Sequence, residues 1–333
     1  MREVVGFWIA ATALLLGSVA VSAERDDVRA CFGDARKYCS AHIGDRLAMR
    51  ACMIENREKL SGECREALKA RARASVPTPG STTISYGADS RQALDYYPAK
   101  GRVASPLVIF VHGGGWSIGD KAHATGPKSA HFNGSGYAFA STNYRLVPDA
   151  TVEQQAADVA AAVAKLRANA KLLGIDANRI ALMGHSAGAH LVSLVATDPQ
   201  YLKAAGVPMA AVKAVVLLDG AGYDVAKQMT GGGPLVNRMY GEAFGSDAAR
   251  QARLSPLRHV AAPNAAAFAV LYDGDRDASR GQSEVLAEAL RKAGSIATAV
   301  PVADTDHGKL NKNLGAPGDA ATAKVDAFLK TRL

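Results

Sequence analysis

The chain has 333 residues, of which 48% are hydrophobic, and it carries a net charge of +8 at neutral pH. This length allows one large domain with a sizeable core plus one small additional segment. The positive charge is dispersed and lacks basic runs interleaved with aromatic residues, which argues against nucleic-acid binding.

The first predicted element is an export signal at residues 1–23. Residues 4–21 carry no charge, follow Arg2, and lead to the small residues around Ala23 that suit signal-peptide cleavage. The alternative is an uncleaved membrane anchor, because a stretch of this length lies at the lower limit for a bilayer span. We therefore expect a periplasmic or secreted protein that meets a membrane only through this segment.

A cysteine-rich helical module is predicted at residues 24–74, followed by a Pro/Gly-rich linker at residues 75–82. An even number of cysteines behind an export signal indicates disulfides, and four cysteines allow three pairings. If the charged helices fold back antiparallel, the simplest pairing is nested, with the two inner cysteines joined and the two outer ones joined. The four residues are Cys31, Cys39, Cys52 and Cys64.

The pattern around these cysteines, from Cys31-Phe32-Gly33-Asp34 to Leu60-Ser61-Gly62-Glu63-Cys64, resembles the cysteine-rich repeat of the Golgi apparatus protein family. That resemblance implies a binding role, so we expect the module to have a partner, whose identity the sequence does not give. A segment this short buries little core, which explains its need for covalent cross-links.

Residues 83–333 alternate buried strands with helices, which predicts an α/β fold with a mostly parallel, doubly wound sheet. The predicted strand Pro106–Val111 runs into His112-Gly113-Gly114-Gly115-Trp116. Such a loop supplies backbone N–H groups to an oxyanion hole. We assign Gly114, Gly115 and Ala187 as the donors. Trp116 is expected either to form a wall of the acyl pocket or to pack in the core.

The pentapeptide Gly184-His185-Ser186-Ala187-Gly188 lies between a strand-like run and an apolar helical run. A G-x-S-x-G pattern in this context predicts a nucleophile elbow, with the Ser186 hydroxyl above the sheet. The helix that begins there directs free N–H groups and a positive dipole end at any developing negative charge. A serine here could also be only a helix N-cap, but the companion motifs favour a nucleophile.

His307 follows the last predicted strand, Ala297–Val302, and is the expected general base. The acid is expected after the preceding strand, where we favour Asp277 over Asp273 and Asp275 because Asp277 completes a G-x-x-D element. No histidine spacing typical of zinc occurs, and we expect neither a metal nor a cofactor.

Residues 222–253, after the predicted strand Val212–Leu218, form the expected lid or cap. Tyr240 is its main candidate for the substrate pocket. Further candidates are Met229, Met239 and Phe244.

The set Ser186, Asp277 and His307 resembles the hormone-sensitive-lipase-like branch of the α/β-hydrolase family, whose Y-R-L-x-P element matches Tyr144–Pro148. The GHSAGAH form of the elbow and the ending Asp306-His307-Gly308 resemble its bacterial carboxylesterase, feruloyl-esterase-like and arylformamidase-like members. His185 stands where lipase-like members usually carry Asp. The resemblance covers roughly residues 83–333 and implies an α/β-hydrolase fold.

These motifs together predict a serine hydrolase that cleaves small or aryl carboxylic esters through an acyl-serine. Two alternatives stay open. An amidase or arylformamidase would use the same residues, because a triad does not identify the leaving group. An exported binding protein would act through the cysteine-rich module on a silent hydrolase scaffold.

Overall fold

The computed structural model describes residues 30–42, 49, 52–53, 55–65, 80–100, 104–231, 233–261 and 263–333. The predicted export signal and residues 75–79 of the predicted linker lie outside these ranges. The chain divides into two compact units, Met1–Val76 and Pro77–Leu333. Across the described ranges, every helix is too short or too polar to cross a bilayer.

The cysteine-rich unit contains helical residues 30–38 and two 3-10 turns, Ser40–His42 and Arg57–Lys59. Disulfides join Cys31 to Cys64 and Cys39 to Cys52, which confirms the nested pairing. In the described part of this unit, the buried cluster is small and mostly half-cystine. Its members are Cys39, Cys52, Met53, Leu60 and Cys64.

The second unit is built on an eight-stranded sheet in the order β1-β2-β4-β3-β5-β6-β7-β8. The β1–β2 and β2–β4 pairs are antiparallel and all the other pairs are parallel. The predicted fold class is therefore confirmed. The strands are β1 Thr82–Ser85, β2 Ala93–Tyr97, β3 Ser105–Val111, β4 Ala138–Thr142, β5 Ile175–His185, β6 Val212–Leu218, β7 Ala267–Asp273 and β8 Ile296–Val302.

Helices connect these strands. They are α1 Lys121–Thr125, α2 Lys128–Gly134, α3 Val152–Ala168, α4 Ala170–Leu173, α5 Ala187–Thr197, α6 Pro199–Ala204, α7 Val225–Gly231, α8 Pro234–Phe244, α9 Ala248–Arg253, α10 Asp277–Lys292, α11 His307–Lys312 and α12 Ala320–Lys330. The predicted cap at residues 222–253 thus consists of α7, α8 and α9.

Side chains of β3 alternate between two buried clusters, as the period of a strand requires. Leu107 and Ile109 join the cluster that contains Val159 of α3 and Leu191 of α5. Val108 and Phe110 join the opposite cluster, which contains residues of α12. Both faces of the sheet are covered, so the carboxyl ends of the parallel strands remain as the natural place for a site.

Candidate active site

Ser186 occupies a sharp turn between β5 and α5, with φ at +54°. A positive φ is strained for a residue with a side chain, and such strain is typical of functional positions. The turn is tight: a Cβ on Gly188 would lie 2.2 Å from the carbonyl oxygen of Val111. The Ser186 N–H donates to the Leu218 carbonyl at 3.0 Å, which fixes the turn to β6.

His307 begins α11, directly after the loop that follows β8. The Asp306 carboxylate caps this helix by accepting hydrogen bonds from the N–H groups of Gly308 and Lys309, at 2.9 and 2.8 Å. Across the site, His307 Nε2 lies 3.1 Å from Ser186 Oγ. The structure therefore brings the predicted nucleophile and the predicted base into hydrogen-bond contact.

The carboxylate that contacts His307 belongs to Asp219. Its Oδ2 lies 2.6 Å from His307 Nδ1. Asp219 directly follows β6, and its N–H donates to the Leu271 carbonyl of β7 at 2.8 Å. Because Nδ1 faces a carboxylate it carries the proton, which leaves Nε2 free to accept the proton of the Ser186 hydroxyl.

This geometry corrects the predicted acid, Asp277. Asp277 is the first residue of α10, and its side chain lies outside the described residues. The position beside Nδ1 is occupied by Asp219, which stands at the end of the strand adjacent to the nucleophile's strand. The alternatives Asp273 and Asp275 are described and make no hydrogen bond with His307: the Asp273 carboxylate instead accepts the Asp275 N–H at 3.1 Å.

The Asp219 side chain is fully buried, yet every bond it accepts favours its charged form. Oδ2 also accepts from Arg276 Nη1 at 2.8 Å, while Oδ1 accepts from the Ser279 hydroxyl and from the Asp273 N–H. Burial raises the pKa of Asp219, but the hydrogen bonds from His307 and Ser279 outweigh it and hold that pKa well below its usual value. Asp219 is therefore an anion at neutral pH.

The predicted oxyanion donors lie on two segments beside Ser186. Gly114 and Gly115 are in the loop after β3, and Ala187 is the first residue of α5. In the described part of the chain, the N–H groups of these three residues are not paired with any acceptor. The loop packs directly on the elbow, because a Cβ on Gly113 would lie 3.0 Å from Ser186 Cβ. Within the described ranges, unpaired backbone N–H groups thus lie close to Ser186.

Trp116 and Tyr240 are both buried and lie edge-to-face, with ring centroids 4.9 Å apart. Phe244 and His190 complete this aromatic cluster, at 4.7 and 5.4 Å from the Trp116 ring. The cap also reaches the oxyanion loop, since a Cβ on Gly115 would lie 2.5 Å from Met239 Sδ. Helix α8 therefore packs bulky side chains against Trp116 and against the loop that holds Gly115.

Three further histidines near the site are buried and make hydrogen bonds with backbone carbonyls. His112 stacks on Tyr144, with centroids 4.4 Å apart. His190 Nε2 donates to Leu254, and His185 Nε2 donates to His307, at 2.8 and 2.7 Å. Burial lowers the pKa of His112 and His190 to about 4 and that of His185 to about 3. Among the described residues, no cluster of metal-ligating side chains occurs.

The profile of the BD-FAE family matches residues 94–290, a span that includes the oxyanion loop, the elbow and Asp219. The chain belongs to the BD-FAE family. One similar curated protein, esterase LipC of Mycobacterium tuberculosis, is 37% identical over 123 residues, which is 35% of this chain and 30% of that protein. The chain thus spans less than a third of that relative's length in the aligned region.

Solved structures similar to this BD-FAE protein are bacterial esterases. Esterase 2 of Thermogutta terrifontis, phosphonylated by sarin, has a TM-score of 0.63 and 22% identity, covering 76% of this chain and 95% of that one. Esterase B of Lactobacillus rhamnosis has a TM-score of 0.64 and 23% identity, covering 80% and 90%. At these identities the likeness shows that the fold is shared.

Proposed function

We propose that this BD-FAE protein is a carboxylesterase with the triad Ser186, His307 and Asp219. The observation that carries the proposal is the continuous contact from Ser186 Oγ to His307 Nε2, at 3.1 Å, and from His307 Nδ1 to Asp219 Oδ2, at 2.6 Å. A serine, a base and a buried carboxylate in this order form the constellation that activates a serine for acyl transfer. Similar curated proteins are named esterases.

The first half of the reaction forms an acyl-serine. Ser186 Oγ attacks the ester carbonyl carbon while His307 Nε2 takes the hydroxyl proton, and Asp219 stabilises the resulting imidazolium. The oxyanion accepts hydrogen bonds from the N–H groups of Gly114, Gly115 and Ala187, each worth roughly 3 kcal/mol in such sites. The tetrahedral intermediate then collapses: the bond to the alkoxy oxygen breaks, and Nε2 gives its proton to the leaving alcohol.

The second half regenerates the enzyme. A water molecule attacks the acyl carbon, with His307 taking its proton, and the proton then returns to Ser186 Oγ as the carboxylic acid leaves. The described residues supply every proton acceptor and donor that these steps require. Trp116, Tyr240 and Phe244 pack closely together next to the oxyanion loop, and this bulk favours esters with a small acyl group over long-chain lipids.

The experiment is a substrate panel on purified protein. We expect turnover of p-nitrophenyl acetate and butyrate, much weaker turnover of the decanoate, and loss of activity by several orders of magnitude in Ser186→Ala. Faster turnover of an N-formyl arylamine than of any ester would favour the amidase alternative. A folded S186A that keeps wild-type activity would contradict the mechanism, and an inactive wild type would favour the binding-protein alternative.

We also propose that the protein is exported. The support is the uncharged segment at residues 4–21 and the two disulfides, because disulfides persist mainly in oxidising compartments. Sequencing the mature amino terminus after expression with its own leader tests this proposal. A new terminus near residue 24 is expected, whereas an intact Met1 in a membrane fraction would indicate the anchor instead.

A further inference from the structure

His185 connects the nucleophile's strand to the backbone of the general base. It is the residue before Ser186, and its Nε2 lies 2.7 Å from the carbonyl oxygen of His307. The two imidazole rings lie side by side, with centroids 4.6 Å apart and planes inclined by 41°. A carbonyl oxygen can only accept, so His185 Nε2 carries the proton in this bond.

We propose that His185 is a positioning residue for the general base, holding the His307 main chain where its ring reaches both Ser186 and Asp219. The bond closes a ring of contacts. Ser186 is covalently linked to His185, His185 Nε2 donates to the His307 carbonyl, and His307 Nε2 in turn contacts Ser186 Oγ. Any displacement of the elbow then carries the base with it. The inference rests on the proposed esterase function.

The neighbours of His185 leave its ring little freedom. Its side chain is buried, and a Cβ on Gly113 would lie 3.0 Å from its Nδ1 and 2.9 Å from its carbonyl oxygen. Burial, with the nearby His307 adding to the effect, lowers the pKa of His185 to about 3. The ring therefore stays neutral at working pH and does not oppose the imidazolium that forms on His307.

His307 is the first residue of the short helix α11, and the far end of this helix is held by a separate bond. Lys128 Nζ donates to the carbonyl of Asn311, at 2.5 Å, on α11. A six-residue helix has little stability of its own, so such external bonds determine where it lies. Lys128 thus holds the far end of α11, while the bond from His185 holds the main chain of its first residue, His307.

The test compares two variants. His185→Leu fills the space of the ring but has no donor, whereas the amide N–H of His185→Gln is long enough to donate to the His307 carbonyl. We expect H185L to lower kcat by up to about 10²-fold with KM nearly unchanged, because small displacements of catalytic groups slow the reaction by such factors. H185Q should recover most of kcat. If H185L does not fold, His185→Asn replaces it, since that amide is too short to reach the carbonyl.

A matched control is Thr197→Val, which removes a buried hydrogen bond of the neighbouring helix α5, from Thr197 Oγ1 to the Ser193 carbonyl at 2.9 Å. It should lower stability and leave kcat unchanged. A second readout is the NMR signal of the proton between His307 Nδ1 and Asp219, expected to be lost or broadened in H185L and restored in H185Q.

Wild-type kcat and an unchanged Nδ1 proton signal in H185L would overturn the inference. Equal losses of kcat in H185L and H185Q, in proportion to their losses of stability, would also overturn it by showing a purely structural role. Failure of the esterase proposal is distinguishable, because the wild type itself would then be inactive on p-nitrophenyl acetate.

Discussion

At the residue scale, the account depends on which carboxylate faces His307. Both Asp219 and Asp277 come after predicted strands, and the G-x-x-D element selected Asp277. Sequence patterns predicted Ser186 and His307, which the structure brings into contact, because each lies in a motif of its own. The acid could not be chosen in the same way, because the choice depends on how far the loop after β8 reaches across the sheet.

The first prediction separates the two carboxylates. Asp219→Asn should lower kcat by roughly 10⁴, because the amide no longer fixes the tautomer of His307 or stabilises its charge. Asp277→Asn is the matched control and should leave kcat within a few-fold. Steady-state kinetics on p-nitrophenyl butyrate measures both. If D277N lost activity and D219N kept it, the acid would be Asp277, as the sequence predicted.

At the element scale, strand predictions were close where the strand is a nearly continuous buried run, as β3 and β6 are. Strand β6 has the predicted bounds, Val212–Leu218, and β3 begins at Ser105, one residue before the predicted start. The helical segment after β4 is interrupted at Asn169, which separates α3 from α4. Contacts between distant segments, such as Met239 of the cap against the oxyanion loop, have no local signature and could not be predicted.

The second prediction contrasts two helical glycines. Gly188→Ala in α5 should destabilise the protein severely, because its Cβ would meet backbone atoms of β3 that cannot move away. Gly241→Ala in α8 is the control: nothing lies within 4 Å of its Cβ, and alanine favours a helix by up to about 1 kcal/mol. Urea unfolding measures both changes. A G188A protein as stable as the wild type would show that the elbow tolerates a wider turn.

At the scale of the whole molecule, three neutral histidines are buried around one site. Burial lowers the pKa of His112, His185 and His190 to between about 3 and about 4, whereas an unfolded histidine titrates near 6.5. Between these values the unfolded chain binds protons that the folded chain does not. The stability that these three histidines contribute is therefore present above about pH 6.5 and is lost as the pH falls toward their folded-state pKa values.

The third prediction follows from this linkage. The free energy of unfolding should fall between pH 7 and pH 5 by roughly 2 kcal/mol for each of the three histidines. Denaturant titrations at the two pH values measure the loss, and His190→Gln should reduce it by about a third. Equal stability at pH 7 and pH 5 would mean that these histidines titrate normally in the folded protein.

The fourth prediction concerns the two compact units. The disulfides of the cysteine-rich unit close chain separations of 13 and 33 residues, which corresponds to roughly 3 and 4 kcal/mol of restricted unfolded-chain entropy. Its described buried cluster is small, so reduction should unfold this unit. Turnover of p-nitrophenyl acetate should survive, because Ser186, His307 and Asp219 all lie in the other unit.

The control for that experiment is a chain beginning near Ser81, which should be active and insensitive to dithiothreitol. Loss of activity on reduction, with the sheet still folded by circular dichroism, would show that the cysteine-rich unit takes part in substrate turnover.

The central claim is that Ser186 is activated by His307 and Asp219 as a nucleophile. The most direct measurement is mass spectrometry of the protein after treatment with a fluorophosphonate, which forms a stable adduct with an activated serine. The account predicts one adduct per chain, on the peptide that contains Ser186, formed far more slowly in Asp219→Asn and absent in Ser186→Ala. An adduct on another residue, or one that forms equally fast in D219N, would contradict it.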